Sequence, residues 1–190
     1  MRFLILHGLQ GSGPTHWQTW LAGRLRGRGE RVSYPDLPEP DAPRLDAWLD
    51  VLDAELRDPD GLVVLCHSLA CVLWLQHARR SEGPPVERVL LAAPPSPSVE
   101  LPGARDFFPL SVKPADVARA AGYTRVVGSD ADPYCPEGAE RLYAEPLELR
   151  SCELAGRGHI NPEAGFGPWP AVERWCLGSA EDCFQDQVQV

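Results

Sequence analysis

No stretch of the 190-residue chain approaches the roughly 18 uninterrupted apolar residues that a membrane-spanning helix needs, so a soluble globular chain is expected. Positive charge is also scarce. Lys and Arg number 18 against 27 Asp and Glu, a net charge of -9. A field of that sign repels phosphate backbones and anionic lipid, which makes nucleic acid and membrane surfaces unexpected partners. After Arg2 only the four residues Phe3-Leu4-Ile5-Leu6 are apolar in succession. That falls short of the about 7–15 of a signal-peptide core, and a cytoplasmic location is expected. The six cysteines, at 66, 71, 135, 152, 176 and 183, lack the density and spacing of a disulfide framework and read as reduced thiols. There is no internal repeat and no linker, and 190 residues fit one domain of about 100–200 residues.

Glycine (17) and proline (20), by contrast, are plentiful. Together they make up about 19% of the chain against a usual ~12%, so many tightly shaped loops are expected. Between them the hydrophobic pattern alternates. Arg2–Leu6 reads as a strand, Thr15–Arg26 as a helix capped by Thr15 and stopped by Gly27 and Gly29, and Arg31–Tyr34 as a weak strand. An amphipathic helix over Pro43–Arg57, a buried strand over Gly61–Cys66 and a helix over Leu69–Arg80 follow. Further strands are expected at Arg88–Ala93, Tyr123–Gly128 and Leu147–Leu154, with helices at Pro136–Ala144 and Trp169–Cys176. From Pro94 to Pro114, six prolines in 21 residues forbid a long regular element, and the segment reads as a lid or rim. The expected architecture is an α/β domain over residues 1–177, mostly a parallel sheet with helices on both faces, followed by an acidic, flexible tail over 178–190.

In such sheets chemistry gathers beyond the carboxyl ends of the strands. His67-Ser68-Leu69-Ala70 puts a serine at a near-immediate strand-to-helix reversal, the layout of a nucleophile elbow. Cys66 and Ala70 stand where the usual G-x-S-x-G pattern has glycine, and a serine there could also simply cap the helix. His159, in the glycine-rich loop after Leu154, is placed to act as general base and acid. Asp130 and Asp132, after the strand ending at Gly128, compete to orient that imidazole. The chain order Ser, Asp, His is that of α/β-hydrolases. In the loop His7 to Gly13, the Leu9 N–H could join the Leu69 N–H in holding an oxyanion. A phosphate cradle is the competing reading of that loop, but the Gly-Lys-Ser/Thr of a P-loop is absent.

His7-Gly8 with Gly11 and His16-Trp17, the His-Ser-Leu elbow around Ser68, Asp132-Pro133, and Gly158-His159 followed by Gly165-Phe166-Gly167-x-Trp169-Pro170 carry a resemblance over about residues 2–177. The chain resembles the small α/β-hydrolase-fold serine hydrolases related to retinoblastoma-binding protein 9, including the bacterial YdeN-like proteins. That resemblance implies an acid immediately before proline, hence Asp132, and hydrolysis of esters or related acyl compounds without metal or cofactor. Ser68, Asp132 and His159 are then the expected catalytic residues, and Leu9 and Leu69 the expected oxyanion hole. His7, Trp17, Phe107 and Phe108 are candidates to touch a small acyl substrate, although Trp17, Trp20, Trp48 and Trp74 at helical spacing also read as packing. Cys66, His67, Cys71 and His77 do not read as a metal site, because their spacing scatters them over a strand and different helix faces. A scaffold protein that keeps the fold with a weak or dead site is the alternative to the enzyme.

Overall fold

The computed structural model describes residues 1–101, 103–178 and 184. Among these residues six strands form one sheet: β1 (Arg2–Leu6), β2 (Arg31–Ser33), β3 (Leu62–His67), β4 (Arg88–Ala92), β5 (Thr124–Ser129) and β6 (Arg150–Leu154). Every pairing is parallel and the order is β2-β1-β3-β4-β5-β6. The helices are α1 (Trp17–Gly27), α2 (Leu45–Glu55), α3 (Leu69–Arg80), α4 (Pro114–Ala120) and α5 (Pro170–Cys176).

Alternation along the strands splits the core into two layers. Leu4, Leu6, Val64 and Cys66 face one side with Trp48 of α2, Trp74 of α3 and Val117 of α4. Phe3, Ile5, Val63 and Leu65 face the other with Trp17 and Leu21 of α1 and Val172 of α5. Covered on both faces, β3 is buried along its full length, which is why it reads as a continuous apolar run.

Three local expectations are corrected. The cap of α1 is His16, whose Nδ1 accepts from the Gln18 N–H at 3.2 Å, rather than Thr15. The helix expected over Pro136–Ala144 shrinks to a π-helical turn over Glu140–Ala144, because Gly138 sits at φ 89° and breaks the first turn. The strand expected from Leu147 begins only at Arg150, since Leu147 and Leu149 still donate back to Tyr143 and Ala144. The sequence pattern also misses α4, whose start is set by Pro114 and by the Asp116 carboxylate accepting from the Lys113 N–H at 3.0 Å.

The proline-rich segment is pinned to the body. Gln76 Nε2 donates to the Phe107 and Pro109 carbonyls at 2.8 and 3.3 Å, and the Phe107 ring is buried edge-on against Trp48 at 5.3 Å. Of the segment expected to be a flexible tail, Gly178 and Phe184 are described and the remainder lies outside the described residues. Phe184 is buried against Trp169, whose indole N–H donates to the Phe184 carbonyl at 3.0 Å.

Candidate active site

The strand order reverses direction between β1 and β3, and there the two loops meet. Leu6 pairs with Cys66, so the residues that follow run side by side toward Gly8 and Ser68. Ser68 has φ 55° and ψ -124°, a conformation rare for a residue with a side chain. It is held there by its own N–H on the Ala92 carbonyl at 2.9 Å and by the Cys71 N–H on its carbonyl at 2.9 Å. Cys66 and Ala70, the departures from the glycine pattern, are fully buried on either side and leave this reversal intact.

The Ser68 hydroxyl lies 2.8 Å from His159 Nε2, which accepts from it. His159 Nδ1–H faces both carboxylate oxygens of Asp132, at 3.0 and 2.9 Å. Asp132 in turn accepts from the Tyr134 N–H at 2.9 Å, while Asp130 is engaged elsewhere, accepting from the Gly156 N–H at 2.6 Å. All three side chains of the Ser68–His159–Asp132 line are buried, with Ser68 keeping 8% and His159 7% of their surface exposed. An imidazole between a hydroxyl and a buried carboxylate can take the hydroxyl proton while the carboxylate fixes its tautomer and stabilises its charged form. Leu69 opens α3, where the first N–H groups have no intrahelical acceptor, and Leu9 lies half-buried in the β1–α1 loop.

Residues to which the sequence gives no role at the site surround this line. His67 Nε2–H donates to the main-chain carbonyl of His159 at 2.9 Å, tying the elbow to the histidine loop. The Tyr134 ring lies 4.6 Å from the His159 ring and is 40% exposed, the aromatic rim of the site. The His16 ring meets the His67 ring edge-on, with 4.7 Å between their centres. Burial, reinforced by repulsion from His159 and His7, lowers the His16 pKa to about 4, and burial holds His67 well below the usual imidazole range. Both rings are therefore neutral near pH 7. The signal for them was present in the sequence as His16 and His67, but nothing in their spacing says that they pack on one another.

Three residues expected to touch substrate are placed otherwise. Trp17 is fully buried between His67 and Trp169, and Phe107 is fully buried against Trp48, so neither has surface to offer. His7 is buried with both ring nitrogens engaged, on the Gly8 carbonyl and the Leu37 N–H. Phe108 is half-buried at the edge of the same apolar layer. Burial pushes the Cys66 thiol far above its ordinary pKa, which disqualifies it as a nucleophile. Among the described residues no group of three or more His, Cys, Asp or Glu side chains is arranged to hold a metal ion, and no helix is long and apolar enough to cross a membrane.

Known proteins are similar to this chain in sequence and fold. The chain is 26% identical over 173 residues to YdeN of Bacillus subtilis (strain 168), covering 88% of this chain and 90% of that protein. The crystal structure of the B. subtilis ydeN gene product matches with a TM-score of 0.83 at 24% identity, over 93% of this chain and 96% of the other. A monoacylglycerol lipase of Paleococcus ferrophilus matches with a TM-score of 0.66 at 15% identity, over 93% of each chain, which shows the shared α/β-hydrolase fold. The serine hydrolase family matches residues 3–176, nearly the whole of the sheet and its helices, and the chain belongs to that family of hydrolases.

Proposed function

We propose that this hydrolase cleaves esters or related small acyl compounds through an acyl-enzyme on Ser68. The observation that carries the reading is the continuous line from Ser68 Oγ through His159 to Asp132, with contacts of 2.8 and 2.9 Å. His159 Nε2 takes the hydroxyl proton as Ser68 Oγ bonds to the acyl carbon. The carbonyl oxygen becomes an oxyanion held by the Leu9 and Leu69 N–H groups. Collapse of the tetrahedral intermediate breaks the bond to the leaving oxygen, which receives the proton from His159 and departs as an alcohol. Water then gives its proton to His159 and attacks the acyl carbon; the acid is released and the proton returns to Ser68. Asp132 keeps Nδ1–H fixed throughout and stabilises the imidazolium. No metal or cofactor is needed for any step.

A short-chain p-nitrophenyl ester and a fluorophosphonate probe test this. Wild-type protein is expected to turn over the ester and to be labelled once, at Ser68. Ser68→Ala should lose labelling and lower kcat by at least about ten-thousand-fold. Turnover that survives the substitution overturns the assignment.

A further inference from the structure

The β1–α1 loop approaches Ser68 so closely that a side chain at Gly8 would not fit. A Cβ added at Gly8 would sit 2.7 Å from Ser68 Cβ and 3.0 Å from the His67 carbonyl oxygen. The peptide that follows, Gly8–Leu9, is trans, so its carbonyl and its N–H point in opposite directions. Whatever holds the Gly8 oxygen therefore aims the Leu9 N–H.

His7 holds that oxygen. Its Nδ1 is 2.8 Å from the Gly8 carbonyl, and because a carbonyl only accepts, Nδ1 carries the proton. Nε2 is then a lone pair, and it accepts from the Leu37 N–H at 2.9 Å. The ring is thus fixed at both nitrogens, one by the loop it shares with Gly8 and one by the loop after β2. It also packs edge-on against Trp48 at 5.9 Å. The Gly11 N–H reaches the same Gly8 oxygen at 3.2 Å, closing the turn from the other side.

We propose that His7 is a positioning residue for the oxyanion hole: as a neutral Nδ1–H tautomer it clamps the Gly8 carbonyl so that the Leu9 N–H is presented to the oxygen that becomes negative. This rests on the Ser68 reading given above. His7 touches no substrate and moves no proton; it holds a peptide plane whose orientation matters only when charge develops in the transition state.

Two substitutions separate the two ends of the ring. Asparagine places an amide N–H near the position of Nδ1, so His7→Asn keeps the bond to Gly8 and drops the one to Leu37. Glutamine reaches the position of Nε2, so His7→Gln keeps an acceptor for Leu37 and drops the clamp. His7→Gln is expected to lose about 10- to 100-fold in kcat with KM changed less than about twofold, since even full removal of an oxyanion donor costs about 10²–10³. His7→Asn should recover most of that loss. The preference for an ester over its thiono-ester, whose sulfur fits an oxyanion hole poorly, should shrink in His7→Gln and persist in His7→Asn. Thermal melting of both variants shows whether each is folded, and the kcat order of the folded variants decides. Equal kcat in the two variants, or a larger loss in His7→Asn, overturns the proposal. Failure of fluorophosphonate to label the wild type overturns the Ser68 reading itself, and wild-type labelling with indifferent His7 variants overturns only the role of His7.

Discussion

His16 does two jobs that acid undoes together. Its Nδ1 lone pair caps α1 through the Gln18 N–H, and its neutral ring fits a buried site where the pKa falls to about 4 from 6.5. An imidazole with a lowered folded-state pKa stabilises the protein fully above its unfolded value and loses that contribution as pH falls toward the folded one. Stability should therefore decline between about pH 6.5 and 4, with a His16 contribution on the order of 3 kcal/mol, and His67 acts with the same sign. His16→Asn, which retains a good helix cap, is expected to flatten the pH dependence of Tm over this window; an unaltered slope would mean that other groups set it. The sequence shows how such roles are and are not legible. Ser68, Asp132 and His159 stand at strand ends in a recognisable order, and the structure brings them within bonding distance. Residue type and position alone left Asp130 and Asp132 both open; in the fold Asp132 faces the imidazole while Asp130 accepts from the Gly156 N–H, 26 residues away in sequence. His7 shows the same limit: its residue type is visible, but the occupation of its two nitrogens is not.

Helix α5 is tied to α1 by one carboxylate. Glu173, with 7% of its side chain exposed, accepts from Arg24 Nε at 3.1 Å and Arg28 Nε at 2.8 Å. Burial would raise its pKa, but the two guanidiniums outweigh burial and hold the carboxyl below its ordinary value. Both arginines are about half exposed, so the clamp is worth less than a fully buried ion pair. Glu173→Gln is expected to cost about 1–2 kcal/mol, a fall of roughly 3–6 °C in Tm, with ester turnover little changed. A melting temperature equal to wild type would show that solvent cancels the pair. Elements with a strong local signal were readable from sequence: β3 by its continuous apolar run and α3 by its run of helix formers without breakers. The seven residues of α4 carry barely two turns of pattern, and the π-helical turn at Glu140–Ala144 has no periodic signature at all.

The alternation of strands and helices made a parallel sheet covered on both faces readable, because parallel neighbours need crossovers that lie on those faces. The position of β1 in the interior, between β2 and β3, was not readable. Yet that placement creates the reversal of winding at which Gly8 and Ser68 meet. The boundary of the folded unit is also a property of packing. The family match ends at Cys176, but Phe184 fills a position against Trp169 and Trp175 with almost no exposed surface. A chain stopped after Gly178 loses that ring and orphans the Trp169 indole N–H, and its Tm should drop by an amount corresponding to about 2–4 kcal/mol. A stop codon chosen to match the family's outline would thus pull a plug from the molecule, and the shortened protein would be sticky at the newly bared tryptophan.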